Sequence, residues 1–283
     1  MAEGGTRVIL ITGCSTGIGR ATAERLAKGG HTVYATARRL ESIADLAQQG
    51  CRTLALDVTD EESMRAAVAA VEEAEGAVGA LVNNAGYSQS GAIEDVPMDE
   101  VRRQFETNVF GLIRMSQLVL PGMRRQSYGR IVNVSSMGGR LVFPGGGIYH
   151  ATKHAVEAVS DALRFEVKGF GIGVSIIEPG LIKTQFGETA VGTIDGATSE
   201  DGPYAKFNAA VAASTANAYS GAMSRLAAPP DAVARAVERA ITSRHPRPRY
   251  VITIGARAML AMRMFLPARG WDAMMGTQFP RPG

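Results

Sequence analysis

The sequence predicts an α/β protein built on one doubly wound parallel sheet of about seven strands, with helices on both faces. Three observations predict it. Short, β-branched apolar bursts alternate with longer segments of helical periodicity along most of the chain. Those bursts are apolar throughout, as strands covered on both faces must be. A glycine-rich turn follows the first burst directly.

The elements follow in order. RVILIT (7–12) reads as a buried strand, and RATAERLAKGG after it as an amphipathic helix that stops at glycine. TVYATA (32–37) is a second strand, followed by a helix from about Leu40 to Gln49. TLALDV (53–58) is a third, and an Ala/Glu-rich helix runs between Asp60 and Glu75, with Thr59 or Asp60 available as its N-cap. ALVNN (80–84), RIVNVSS (130–136), GVSIIEP (173–179) and RYVITI (249–254) supply strands four to seven. Long helices are expected over about 98–125 and from near Ile148 to near Gly169. No repeat, linker or second core interrupts this order, so residues 1–283 are expected to form a single domain. Between Gln185 and Pro230 the rhythm lapses into a weakly charged stretch rich in Gly, Ala, Ser and Thr. A long insertion of this kind is expected to be a substrate lid, at about 185–228. The C-terminal extension, about 255–283, carries Met, Leu, Phe, Arg and Trp271. It is expected to flap over an apolar substrate or to contact another subunit, with an amphipathic membrane-surface element as the alternative.

Composition narrows the function. Hydrophobic residues make up 46% of the chain and charged residues 20%, which is ordinary for a soluble globular protein. The net charge of +3 includes no Lys/Arg run interleaved with aromatics, which argues against nucleic acid as a partner. Cys14 and Cys51 cannot make a disulfide framework and suggest a reducing compartment. Four histidines and two scattered cysteines offer no metal-ligand spacing. MAEGGTR has no basic stretch leading into an apolar one, and the most apolar segment, YVITIGARAMLAMRMFL, is broken by Arg257 and Arg263. No transmembrane segment is expected, and the expected location is the cytoplasm.

The motifs point to a dinucleotide. TGCSTGIG places Gly13, Gly17 and Gly19, with Ser15, Thr16 and Ile18 between them, where a strand turns into a helix. Glycines let the backbone approach a pyrophosphate whose charge a helix N-terminus favours. At the end of the second strand stand Arg38 and Arg39, with no acid before Glu41. A guanidinium suits a 2′-phosphate, whereas an unphosphorylated ribose is usually held by a carboxylate, so NADP(H) is favoured over NAD(H). Asp57, beside Val58, could cap the next helix or bond an adenine amino group. NNAG, with Asn84, Ala85 and Gly86, offers a small turn for a cofactor ribose to pass. The fifth strand delivers Ser135 and Ser136 to the sheet edge, and Tyr149 and Lys153 in YHATK share one helix face. His150 and His154 read as packing or surface residues, and Cys14 as a small, passive side chain. Val142, Phe143, Tyr87 and the Ala-rich lid suggest an apolar pocket.

TGCSTGIG, Asp57, NNAG, Asn108 in ETNVFG, Ser136, Tyr149-x-x-x-Lys153 and Pro179-Gly180 with Thr184 occur collinearly over Thr12–Thr184. With them the chain resembles the classical branch of the short-chain dehydrogenase/reductase family, and its flanking segments resemble 17β-hydroxysteroid and retinol dehydrogenase-like members. The resemblance implies a Rossmann fold and an enzyme that moves a hydride between NADP(H) and a ketone, aldehyde or secondary alcohol. An apolar substrate is expected: a steroid, retinoid, long-chain or polyketide-like compound. It implies that Tyr149 is the general acid or base, with Lys153 and oxidised nicotinamide both lowering its pKa and Lys153 also holding the nicotinamide ribose. A free phenol titrates near 10, so activity near neutrality requires a shift worth roughly 4 kcal/mol. Ser136 would donate to the substrate oxygen, and Asn108 would hold a water that links Lys153 to solvent. Pro179, Gly180, Ile182 and Thr184 would border the nicotinamide. Homodimers or homotetramers built through the two long helices are implied as well. The alternative is a protein that senses NADP(H) and has lost the chemistry; the intact Ser136, Tyr149 and Lys153 argue against it.

Overall fold

Seven strands pair side by side, all parallel, in the order β3-β2-β1-β4-β5-β6-β7. They are β1 (Val8–Ile11), β2 (Thr32–Ala37), β3 (Arg52–Ala55), β4 (Ala80–Asn83), β5 (Gly129–Val134), β6 (Ile172–Glu178) and β7 (Arg249–Val251). The helices are α1 (Gly17–Lys28), α2 (Glu61–Glu75), α3 (Met98–Phe105), α4 (Gly111–Arg125), α5 (Gly147–Glu166), α6 (Phe186–Asp195), α7 (Ala205–Ser220), α8 (Pro230–Thr242), α9 (Ile254–Phe265) and α10 (Ala268–Gly276). This computed structural model describes residues 7–195, 202–220 and 227–282. The chain winds outward through β2 and β3, then returns to place β4 on the other side of β1. That reversal is the switch point at which a doubly wound sheet opens a crevice.

The pleat explains why the central strands are apolar throughout. Ile9, Ile11, Val33, Val82 and Val132 face one way, into a core shared with Leu26 of α1 and Val237 and Ile241 of α8. Leu10, Tyr34, Leu81 and Ile131 face the other way, against Met64 and Val68 of α2 and Met115 and Val119 of α4. A buried polar chain then ties the helices to the sheet. Asn83 donates to Asn133 at 2.9 Å and to Ser116 of α4 at 3.2 Å, and Asn133 donates to Ser160 of α5 at 2.8 Å.

The structure departs from the sequence reading at several boundaries. Residues 40–49 form a 3₁₀ segment, and the third strand stops at Ala55, leaving Asp57 and Val58 in the loop beyond it. Asp60 caps α2, accepting from the amides of Glu62 and Ser63. The helix expected over 98–125 is interrupted by one π-helical turn, Glu106–Phe110, between α3 and α4. The seventh strand ends at Val251 because Thr253 caps α9. The expected lid holds two helices, α6 and α7; its stretches 196–201 and 221–226 lie outside the described residues. In the C-terminal extension, Leu260, Trp271, Met275 and Phe279 pack on Leu141, Ile194 and Val211 as a third core. Trp271 fixes this layer by donating its indole N–H to the Val142 carbonyl at 3.1 Å. Among the described residues, no helix is long and apolar enough to cross a membrane.

Candidate active site

A cleft of about 1410 Å³ opens where β1, β4, β5 and β6 end. Its first wall is the glycine loop. Gly13 adopts φ +72°, and a Cβ there would stand 2.9 Å from Ala85 Cα; at Gly19 a Cβ would collide with the Gly13 carbonyl and the Asn84 amide. Sequence and geometry agree because the loop and the NNAG turn are laced together. Thr12 Oγ1 accepts from the amides of Asn84 and Ala85 at 3.0 Å, and Asn84 Nδ2 donates to the carbonyls of Thr12 at 2.9 Å and Gly13 at 3.0 Å. The N-cap of α1, Thr16, makes no side-chain capping bond, and the first turn carries no acid. Its amides therefore keep the capacity to hold an anionic group.

Ser15, Thr16, Gly17 and Ile18 line this wall, and Asn84, Ala85 and Gly86 stand across from it. Arg38, Asp57 and Val58 line the end beside β2 and β3; Arg39 is exposed and outside the cleft. Asp57 does not cap α2, since its Oδ1 accepts from the Thr59 amide at 2.9 Å and hydroxyl at 2.8 Å. Pro179, Gly180, Ile182 and Thr184 form the rim beyond β6, with the Thr184 methyl 3.1 Å from where a Cβ on Gly17 would lie. Gly19 sits beneath this lining. Glycine cradle, open helix terminus and lone strand-end guanidinium fit a nicotinamide dinucleotide.

The other end of the cleft gathers Ser136, Tyr149 and Lys153. Ser136 leaves β5 as the N-cap of a 3₁₀ turn, Met137–Gly139, and its Oγ accepts from the Gly138 amide at 3.0 Å. Lys153 is buried and donates from Nζ to the Val134 carbonyl at 2.9 Å, while the same Nζ lies 5.8 Å from the Tyr149 ring centroid. Burial lowers the Lys153 pKa to about 8, against an upward pull from Glu157. Lys153 does not by itself make the phenol acidic. Burial drives the Tyr149 pKa above its ordinary value, opposed by a hydrogen bond with Ser136 and aided by Tyr219. Lys153 is turned toward a carbonyl and only weakly basic, so desolvation prevails. At neutral pH the phenol keeps its proton, the form required of an acid in carbonyl reduction.

Asn108 lies behind the cleft, in the π turn. Its Oδ1 accepts from the Tyr87 amide at 3.1 Å, and its Nδ2 donates to the Tyr87 carbonyl at 2.9 Å and to Thr152 Oγ1 at 3.0 Å. A Cβ on Gly86 would stand 3.0 Å from Asn108 Oδ1 and 3.7 Å from Lys153 Nζ. Asn108 is thus a strut between the NNAG turn and α5, and π turns of this kind recur at functional sites. Cys14 is wholly buried, and burial lifts its thiol pKa to about 12, which fits a passive role.

Several lining residues were not legible in sequence. His150 is buried between Gly138 and Gly146 and faces the cleft; burial lowers its pKa to about 4, keeping it neutral. The Phe186 ring of α6 lies tilted against Tyr149, centroids 5.6 Å apart, Tyr219 of α7 packs on Gly187, and Met259 and Phe279 arrive from the C-terminal extension. Phe143 and Tyr87 line the cleft as expected; Val142 does not, and is instead half exposed under Trp271.

Comparison with known proteins agrees with this geometry. A family model described as short chain dehydrogenase matches residues 7–193. An uncharacterized oxidoreductase, YusZ, of Bacillus subtilis is 34% identical over 278 residues, covering 95% of this chain and 97% of its own. An NADPH-dependent 3-dehydrocapnine reductase of Ornithobacterium rhinotracheale is 32% identical, covering 94% of this chain and 95% of its own. A short-chain dehydrogenase from Streptomyces avermitilis superposes with TM-score 0.80 at 35% identity, covering 98% of this chain and 97% of its own. A Brucella melitensis 3-ketoacyl-(acyl-carrier-protein) reductase complexed with NADH superposes with TM-score 0.72 at 26% identity, covering 87% and 96%. Nicotinamide cofactors of both kinds thus occur among its relatives, and the chain belongs to the classical short-chain dehydrogenases/reductases, a family of oxidoreductases.

Proposed function

We propose that this chain transfers a hydride between NADP(H) and an apolar ketone, aldehyde or secondary alcohol. The observation that carries the reading is the meeting of Ser136, Tyr149 and Lys153 at one end of a cleft whose other end is a glycine cradle beside Arg38. The nicotinamide, when bound, gives or takes the hydride. Lys153 would hold its ribose and the 179–184 rim would border it, while Arg38 would offer a 2′-phosphate a fork of donors that a hydroxyl leaves unanswered. Ser136 donates to the substrate oxygen as charge develops there. Tyr149 delivers its phenolic proton to that oxygen in reduction and recovers it in oxidation. Phe143, Phe186, Val211, Met259 and Phe279 give the substrate end an apolar wall, which suits a substrate with an extended hydrocarbon part. The name of the Ornithobacterium relative, a reductase of 3-dehydrocapnine that uses NADPH, supports reduction with NADPH. The helices α6 and α7 act as the lid and the C-terminal extension as a flap.

Fluorescence titration tests the cofactor assignment. NADPH binds at least about tenfold tighter than NADH, and Arg38→Ser removes that preference; equal dissociation constants in the parent chain contradict it. A screen of ketones and secondary alcohols, followed at the nicotinamide absorbance, tests the reaction itself, and turnover of none of them contradicts it.

A further inference from the structure

An ion cluster that no step above uses joins four elements around the site. Arg249, the first residue of β7, donates from Nη2 to Glu157 Oε2 at 3.0 Å and to Asp161 Oδ2 at 2.7 Å, both on α5. Its Nε lies 2.9 Å from Glu178 Oε1 on β6. Glu178 is wholly buried, and its other oxygen accepts from Arg140 at 3.1 Å. Arg164 closes on Asp161, so three guanidiniums face three carboxylates. None of these six side chains lines the cleft.

Their places along the chain matter more than their number. Arg140 ends the short turn that begins at Ser136. Glu157 stands one helical turn beyond Lys153 on α5. Glu178 immediately precedes Pro179 and Gly180. Each arm of the cluster is therefore within one turn of a different wall of the site. The same walls touch one another directly: the Met137 amide donates to the Pro179 carbonyl at 2.9 Å. A Cβ on Gly139 would stand 2.7 Å from Ser135 Oγ and 2.9 Å from Glu157 Cγ and the Lys153 carbonyl. There is no slack for the arms to slide.

Only Glu157 and Glu178 of the six are buried; burying those carboxylates costs desolvation that offsets much of the Coulombic gain, and the half-exposed pairs around them add little stability. What a charged cluster adds at some packed interfaces is a fixed register. We propose that Arg249 is a positioning residue for hydride transfer, holding the Tyr149–Lys153 helix, the Ser136 turn and the 179–184 rim in mutual register through Glu157, Glu178 and Arg140. This rests on the function proposed above. The cluster also reaches Lys153 electrostatically: Glu157 raises the affinity of that amine for its proton. The groups shown facing Lys153 are Tyr149 and Glu157 on its own helix and the Val134 carbonyl.

Arg249→Lys keeps the charge and loses the fork that reaches three carboxylates at once. A matched control is Arg25→Lys: Arg25 is equally half-buried and clamps Asp231 and Glu238 of α8 at 3.0 and 2.7 Å, far along α1 from the glycine loop. Both variants are expected to melt at lower temperature. Only Arg249→Lys is expected to lower kcat, by about tenfold or more, and to weaken NADPH binding by fluorescence titration, since misplacement by an ångström has effects of this size. Arg25→Lys should leave both within about twofold. With five lysines in the chain, ¹³C NMR of labelled lysine resolves the Lys153 midpoint, which Glu157→Gln should move further down from about 8. The proposal is overturned if the two arginine variants behave alike, if Arg249→Lys lowers only the melting temperature, or if the Lys153 midpoint stays put. Failure of the function is separable: the parent chain would then neither bind NADPH nor turn over any ketone.

Discussion

Tyr149 and Lys153 occupy one face of α5, yet burial acts on them in opposite senses, raising the proton affinity of the phenol and lowering that of the amine. Their adjacency was legible because i and i+4 spacing is a local property. The direction of the phenol shift was not, because it depends on how much water Phe186 and Tyr219 exclude, and those side chains come from a segment without sequence periodicity. Lys153 gives a consequence measurable without substrate. Folded Lys153 releases its proton near pH 8, while the unfolded chain holds it to above about 10. Between those values the unfolded state binds more protons, so this site makes stability rise with pH. Tyr149, shifted upward, acts with the opposite sign and only above that window. Urea unfolding at pH 8 and pH 9.5 should show the parent chain gaining about 2 kcal/mol relative to Lys153→Met. Parallel curves for the two proteins would contradict the burial of a weakly basic amine.

At the scale of elements, the sheet and its helices were readable nearly in full, because apolar periodicity reports burial directly. The misreadings fall where local pattern and long-range packing diverge. The π turn at Glu106–Phe110 looks like ordinary helix in sequence; within it Asn108 reaches both Tyr87 and Thr152, contacts that no local pattern reports. The C-terminal extension looked ambiguous among flap, subunit contact and membrane surface. Its inner face is now accounted for by Trp271, Met275 and Phe279 on the third core, with the Trp271 ring 6.0 Å from Phe143. Trp271→Ala should therefore loosen α10, raising KM for long apolar ketones about tenfold while leaving NADPH affinity unchanged. An unchanged KM would remove the extension from the substrate wall. Arg249, by contrast, gave no signal in sequence: its carboxylate partners lie 71, 88 and 92 positions away, as Glu178, Asp161 and Glu157.

For the whole molecule, large apolar side chains are exposed at several places, on α9 as Ile254, Met264 and Phe265, and also where the expected subunit contact would lie. Phe110 beside α4 is 51% exposed, Phe165 on α5 is 85% exposed, and Phe170 just beyond α5 is 49% exposed. Isolated apolar residues on a surface need no explanation, but three phenylalanines on and beside the two long helices suggest a covered face. Light scattering should return a dimer or tetramer, and Phe110→Ser with Phe165→Ser should shift it toward monomer; a monomeric parent chain would contradict this. In the proposed reaction one phenol supplies the proton while the cradle holds the cofactor independently of it. Tyr149→Phe tests this most directly, by NADPH titration alongside ketone turnover on the same preparation. Cofactor affinity should stay within about threefold of the parent and turnover should fall by at least about a hundredfold; a variant that binds NADPH and still reduces the ketone at a comparable rate would rule out Tyr149 as the proton donor.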